Sequence, residues 1–133
     1  MSKRRDRDYL NDIREAIQRI STYTAGLTYE EFMKDIKTQD AVVRNLEIIG
    51  EATKNLSAGL KKSYPKIPWK DLMGMRDKMI HHYFGINYEI VWTIAREELA
   101  SFLPQIDEIV WTIAKEELAG LLPQIERILD KEN

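Results

Sequence analysis

Apolar side chains recur every three or four residues through most of this chain of 133 residues, and this spacing limits its possible folds most strongly. Residues 6 to 24 show the pattern first, with charged residues between apolar ones at Leu10, Ile13, Ile17 and Ile20. Such spacing puts the apolar side chains on one face of an α-helix, where other helices can cover them. Because only six glycines and four prolines interrupt the chain, the pattern predicts one all-α domain.

Capping signals predict where the next two helices begin and end. Thr28 is followed three residues later by a glutamate, a capping-box pattern that predicts a short helix through Lys37. Thr38 or Asp40 can begin the following helix, whose buried stripe ends near Gly59. The short helix is expected to cap the bundle that residues 6 to 24 begin.

Gly50 lies inside the third of these helices, where a glycine costs about 1 kcal/mol relative to alanine. Its presence predicts that another backbone or a bulky ring passes close by. The next residue, Glu51, has two interpretations, a charge facing solvent or a polar residue facing a functional cleft.

Residues 67 to 92 contain the only two histidines of the chain. Pro68 suits the first turn of a helix and Gly85 suits its end, so a helix is predicted between them. Its packing face would consist of Trp69, Leu72, Met73, Met79, Ile80 and Tyr83. Arg76 and His81 fall outside that face and remain available for chemistry.

The run from Arg76 to Tyr83 reads R-x4-H-x-Y and resembles the signature of HEPN-domain toxins, the HepT-like ribonucleases of MNT/HEPN toxin–antitoxin modules. An arginine five residues before a histidine is a weak signal by itself. The flanking segments 45–52, 67–69 and 84–88 also match, in the right order. Together they make the resemblance fairly specific across roughly residues 5 to 109.

This resemblance implies an up-and-down, HEPN-like bundle of four to six helices that forms a homodimer with the motif at its interface. It also implies the toxin of a type VII-like module, a metal-independent endoribonuclease that needs no cofactor, with transfer RNA as the substrate. The products would be a 2',3'-cyclic phosphate and a 5'-hydroxyl. An MNT-type nucleotidyltransferase antitoxin would neutralise the toxin by transferring AMP to Tyr83. The alternative is a non-catalytic HEPN subunit that binds RNA, a nucleotide or the nucleotidyltransferase.

The residue types suit the cleavage of RNA. Arginine presents a planar, permanently charged fork to phosphate oxygens, and histidine can act as general acid or base near pH 7, which fits Arg76 and His81 as catalytic residues. Asp77 and Glu51 are supporting candidates. A structural alternative stays open, in which Asp77 and His81 form a helical ion pair and Tyr83 fills the core.

The spacing of the motif bears on how a site could form. On a regular helix, Arg76 and Tyr83 lie within about 20° of each other, whereas His81 lies about 140° from Arg76. One copy of the motif would therefore converge poorly on one phosphate. If the helix is regular, this geometry favours a composite site in which two copies meet across a two-fold axis.

Charge and composition limit which partners the protein can bind and in which cellular compartment it is expected. The formal net charge is -2, so RNA binding requires a local patch, for which the cluster Lys3-Arg4-Arg5 with Arg7 is one candidate. The chain has no cysteine, which excludes disulfides and cysteine-bound zinc. No apolar run approaches about 18 residues. A cytoplasmic protein without a membrane span is expected.

A repeat distinguishes the C-terminal part, because residues 90–108 recur almost unchanged as residues 109–127. On a continuous helix the offset turns the second apolar stripe by about 100°, so both copies cannot face one groove. Pro104 and Pro123 predict kinks or breaks. We expect a bundle over residues 1–109 and a helical extension over 110–133. The extension either protrudes or folds back, or forms a surface for self-association or another partner.

Overall fold

The computed structural model describes residues 4–81 and 85–132. Of His81 it describes the backbone but not the side chain. Its helices are α1 (Asp6–Thr24), α2 (Tyr29–Lys34), α3 (Ile36–Lys54), α4 (Ala58–Ser63), α5 (Trp69–Met73), α6 (Met75–Met79), α7 (Tyr88–Thr93) and α8 (Leu103–Glu132). Two-residue strands, β1 (Ile80–His81) and β2 (Gly85–Ile86), form one antiparallel pair. A π-helical turn (Ile94–Glu98) and a 3-10 turn (Leu99–Ser101) lie between α7 and α8. The predicted all-α class is confirmed.

Helix α1 lies at the centre of the bundle, where it packs along α3 and against the first part of α8. Its predicted apolar face is confirmed, since Leu10, Ile13, Ile17 and Ile20 are all buried. From α3 the core receives Val42, Leu46 and Ile49, and from α8 it receives Ile106 and Ile109. Each such side chain stabilises the fold by roughly 1.5–3 kcal/mol relative to an exposed position.

The junction between α2 and α3 differs from the prediction. The capping box at Thr28 is present, but α2 ends at Lys34, and α3 begins with Ile36 rather than with Thr38 or Asp40. The reason is Asp35, whose carboxylate accepts bonds from the Thr38 hydroxyl at 2.7 Å and from its backbone N–H at 3.0 Å. These two bonds hold the pKa of Asp35 below its ordinary value.

Helix α3 also ends earlier than predicted, at Lys54 instead of near Gly59. Ser57 caps the short helix α4 through its side-chain oxygen, which accepts a bond from the Leu60 N–H. The Ser57 hydroxyl in turn donates to the Asp6 carboxylate at 2.6 Å. This contact ties the beginning of α4 to the first turn of α1.

The predicted helix from Pro68 to Gly85 is wrong, because this segment divides into two short helices and a pair of strands. Gly74 separates α5 from α6, and its N–H donates to Lys70 O in the α5 helix. Helix α6 ends at Met79, and the backbone becomes extended at Ile80. Ile80, which was expected on the packing face, is 44% exposed.

The strand pair explains why the helix stops at Met79. Ile80 pairs with Ile86, and the Asn87 N–H donates to Met79 O at 2.8 Å. Gly85 adopts a φ of 75°, which glycine reaches without steric cost. The Asn87 side chain then caps α7, which confirms that a new helix begins after this residue.

The two copies of the repeat lie in different environments, as predicted. Ala95, Leu99 and Ile106 of the first copy are buried, whereas their counterparts Ala114, Leu118 and Ile125 are exposed. The first copy is not one regular helix, so the rotation of about 100° does not apply to it. The second copy continues α8 and protrudes.

The two prolines of the repeat act differently. Pro104 stands at the second position of α8, where a missing N–H has no helical partner to lose. In a regular α-helix its ring would clash with the carbonyl of Ala100, and the chain forms a 3-10 turn, Leu99–Ser101, just before α8 instead. Pro123 lies inside α8, which continues past it.

Helix α8 runs through Ile109 without interruption, so the boundary between the bundle and the C-terminal extension stays a prediction. Among the helices described, none combines the length and apolar character needed to span a membrane.

Candidate nucleic-acid site around Arg76

Gly50 brings α3 close to the α5–α6 junction. A Cβ atom at this position would lie 3.4 Å from Leu72 O, 3.6 Å from Met73 O and 3.6 Å from Met75 Cβ. The prediction that another backbone passes close to Gly50 is therefore confirmed.

A cavity of about 150 Å³ lies beside this contact. Its lining consists of Arg44, Glu47, Gly50, Glu51, Lys54, Met73 and Arg76. Arg76 is exposed, whereas Met75 and Met79 of the same short helix α6 are buried. The cavity thus combines three cationic side chains with two carboxylates on a surface that solvent can reach.

Ion pairing leaves two of these cations available. Arg44 Nη1 lies 3.9 Å from Glu47 Oε2, and this solvent-exposed ion pair contributes little to stability. Within the described residues, neither Lys54 nor Arg76 has a carboxylate oxygen within ion-pair distance. Both can therefore receive a phosphate group without first breaking an internal pair.

The structure brings together two of the five residues predicted for the site. Arg76 and Glu51 line the same cavity, whereas Asp77 is exposed on α6 and does not line it. The backbone of His81 belongs to β1, and its side chain lies outside the described part of the chain, as does Tyr83. The angles derived for a regular helix do not hold, because α6 ends at Met79.

Three lining residues, Arg44, Glu47 and Lys54, were missed in the sequence. Together with Glu51 they are spaced by three, four and three residues along α3, which places them on one helix face. That spacing was a usable signal. The apolar stripe of α3 is the stronger periodic signal, and the polar face carries no recognised motif.

The N-terminal arginines, the other candidate patch, are largely engaged within the molecule. Arg4 pairs with Asp12 at 2.9 Å and lies over the ring of Tyr9, and Arg7 pairs with Glu117 of α8. A larger cavity, of about 650 Å³, lies among these groups. We favour the smaller cavity as the site, because its cations are available and it contains a residue of the motif.

A metal centre is not apparent in the part of the chain that the structure describes, where no three acidic or histidine side chains cluster as ligands would. The polar groups at the cavity are instead suited to binding an anion by charge and hydrogen bonding.

Comparison with known proteins places this chain in a family. The family profile described as Ribonuclease HepT-like matches residues 13–109. A Methanocaldococcus jannaschii protein named "Putative RNase" is 48% identical over 108 residues, 81% of this chain and 89% of the relative. A Thermococcus cleftensis protein named "Probable ribonuclease HepT" is 48% identical over 99 residues, 74% of this chain and 90% of the relative.

A third relative, from Caldanaerobacter subterraneus and also named "Putative RNase", is 42% identical over 102 residues, 77% of this chain and 91% of the relative. No solved structure matches the chain. The profile match contains Glu51, Arg76, Asp77, His81 and Tyr83, and it ends where the second copy of the repeat begins. On this evidence, the chain belongs to the HepT-like ribonuclease family.

Proposed function

We propose that the chain is the toxin of a type VII-like toxin–antitoxin module and cleaves RNA as a metal-independent endoribonuclease. The observation that carries this proposal is the position of Arg76, exposed at a cavity beside an available Lys54, in a chain of a ribonuclease family. The substrate proposed for the first test is transfer RNA.

In the proposed reaction, the 2'-hydroxyl oxygen of the RNA attacks the adjacent phosphorus, and the bond from phosphorus to the 5'-oxygen breaks. A base accepts the 2'-hydroxyl proton, and an acid gives a proton to the departing 5'-oxygen. The products are a 2',3'-cyclic phosphate and a 5'-hydroxyl. Since the reaction is balanced without an oxidant, a cofactor or a metal ion, side chains alone can carry it.

We assign these proton transfers to His81 and the stabilisation of charge on the phosphate to Arg76. A two-fold dimer would supply two copies of His81, one to act as base and one as acid, at a composite site. Arg44 and Lys54 would hold the RNA backbone, and Glu51 remains a supporting residue, because its carboxylate lines the same cavity. Asp77, which follows Arg76 in α6, remains a supporting residue.

The proposed partner is a nucleotidyltransferase antitoxin that transfers AMP to the Tyr83 hydroxyl. Modification would add bulk and a negative charge two residues from His81 in the sequence. A negative group placed where the RNA phosphate must bind would repel it, and so the toxin would be neutralised.

The test is cleavage of total transfer RNA by the purified chain in EDTA, with product ends determined by mass spectrometry. The intact mass of the protein establishes beforehand that Tyr83 carries no AMP. Arg76→Ala and His81→Ala should each reduce cleavage by about a hundredfold or more. Arg19→Ala is the matched control, because Arg19 is exposed on α1 and pairs only with Glu15.

Equal rates of cleavage by the Arg76, His81 and Arg19 variants would contradict the assignment of Arg76 and His81 to the active site. If the folded, unmodified chain binds RNA without cutting it, the non-catalytic binding subunit becomes the better description.

A further inference from the structure

The protruding half of α8 exposes a long apolar surface. Of the twelve exposed large apolar side chains in the described part of the molecule, seven lie on this helix. Trp111 is 63% exposed and Leu118 is 58% exposed, and every residue from 118 to 132 is exposed. A surface of this kind on a folded chain indicates a site of association.

The spacing of these side chains is regular. Five of them, together with the exposed Ala114, alternate by three and four residues, and we call these six the α8 seam: Trp111, Ala114, Leu118, Leu121, Ile125 and Ile128. This is the heptad spacing by which two helices pack side by side. Glu116, Pro123 and Asp130 fall at the heptad position opposite the seam, so the proline does not interrupt it.

The seam cannot be covered by the tail folding back on its own bundle. Ile106 and Ile109 are buried in the core, and Glu117 pairs with Arg7 of α1, so the helix is held to the body up to this point. Beyond Glu117 the helix continues without a turn to Glu132. The apolar side chains of the second half therefore project beyond the described part of the body.

We propose that the α8 seam binds the same seam of a second copy of this chain. Every copy presents an uncharged stripe whose heptad spacing is complementary to itself. The positions that flank the seam carry both signs of charge, with Lys115 and Glu117 near its start and Lys131 near its end, so no strongly charged face selects an oppositely charged partner. The seam also repeats side chains that already pack tightly in the first copy, such as Leu99 and Ile106.

The sizes of the seam side chains favour an antiparallel pair. In that arrangement the largest side chain, Trp111, lies opposite Ile128 of the second copy, and the smallest, Ala114, lies opposite Ile125. A parallel pair would place Trp111 opposite Trp111 and Ala114 opposite Ala114 of the second copy. The layer of packed side chains containing the two tryptophans would then be much wider than the next layer, which contains the two alanines. The antiparallel pair keeps the layers similar in volume, as close packing requires.

Cross-linking of the full-length chain tests this proposal, because the chain contains no cysteine of its own. A single cysteine at position 118 would lie within about 10 Å of its counterpart across an antiparallel pair. Leu118→Cys should therefore form covalent dimers with a short bis-maleimide. Glu116→Cys is the matched control, because position 116 faces away from the seam.

The Leu118→Cys chain should cross-link about tenfold faster than Glu116→Cys at the same low concentration. Addition of Ile125→Glu to the Leu118→Cys chain should reduce its rate to that of the control, because a charge would be buried in the seam. The proposal is overturned if Leu118→Cys stays monomeric in the gel or reacts no faster than Glu116→Cys. The measurement needs no RNA and no residue of the Arg76 cavity, so its outcome is independent of the proposed ribonuclease activity.

Discussion

Gly50 determines how closely α3 approaches the backbone of Leu72 and Met73, and the Arg76 cavity lies directly beside this contact. A methyl group at position 50 would make ordinary van der Waals contact, since the nearest atom would be 3.4 Å away. A longer side chain would push α5 and α6 outward. The residue thus controls both packing and the volume of the site.

Gly50→Ala should therefore be tolerated and gain up to about 1 kcal/mol in unfolding free energy from helix propensity. Gly50→Leu should lose roughly 1–3 kcal/mol through overpacking, and it should fill the cavity. Urea denaturation measures both. Gly59→Leu is the control, because nothing lies within 4 Å of a Cβ atom at Gly59 in α4. A Gly50→Leu chain as stable as the Gly59→Leu chain would contradict the close contact.

At the level of single residues, the sequence predicted part of the site. Gly50 was identifiable because glycine is costly inside a helix, and Arg76 because it belongs to a motif. The choice of Asp35 as the cap of α3 was not predictable, since Thr38 and Asp40 are equally good capping residue types. Only the end of α2 at Lys34 leaves Asp35 in position to accept the Thr38 bonds.

Among the elements, the segment after Pro68 departs most from its prediction. Apolar periodicity alone suggested one helix, but Gly74 and the pairing of Ile80 with Ile86 divide it. Pairing between residues six positions apart depends on a return of the chain, which helical periodicity does not report. As a result, the expected angle of about 140° between Arg76 and His81 on one regular helix does not apply.

Pro123 supplies a prediction for α8, because a proline inside a helix removes one hydrogen bond and costs about 3 kcal/mol relative to alanine. Pro123→Ala should stabilise the protruding half, and its amide protons from residue 118 onward should exchange more slowly. Hydrogen exchange followed by mass spectrometry of peptides measures this. Peptides from α1 serve as an internal reference that should not change. Unchanged exchange in the tail would mean that α8 does not continue through Pro123.

For the whole molecule, two interfaces between copies follow from the two proposals, one at the motif and one at the α8 seam. Two isologous interfaces close a dimer if they share a two-fold axis, and otherwise they generate larger assemblies. The sequence predicted the duplicated segment and that its copies differ in environment. It left open whether the second copy protrudes, because this depends on the π and 3-10 turns within the first copy and on the uninterrupted course of α8.

The double variant Leu121→Glu/Ile125→Glu buries charge in the seam, so by light scattering it should fall to the mass of the dimer held at the motif, half the mass of an assembly that uses both interfaces. Cleavage of RNA per chain should stay within about twofold, since no seam residue lines the Arg76 cavity. Glu116→Ala, on the opposite face of α8, should keep the mass of the natural chain. If the double variant loses RNA cleavage as well as assembly mass, the seam itself would be needed to assemble the active site.

The exposed second copy of the repeat also bears on how such a surface can arise. An interface built by point substitution gains its apolar residues one at a time, and each intermediate has an unprotected patch without a partner. Copying residues 90–108 transfers a whole set of side chains that have already been selected for burial. One duplication is then sufficient to place side chains suited to burial on the surface of a fold. Because every copy of the chain carries the same surface, a second copy is an immediately available partner.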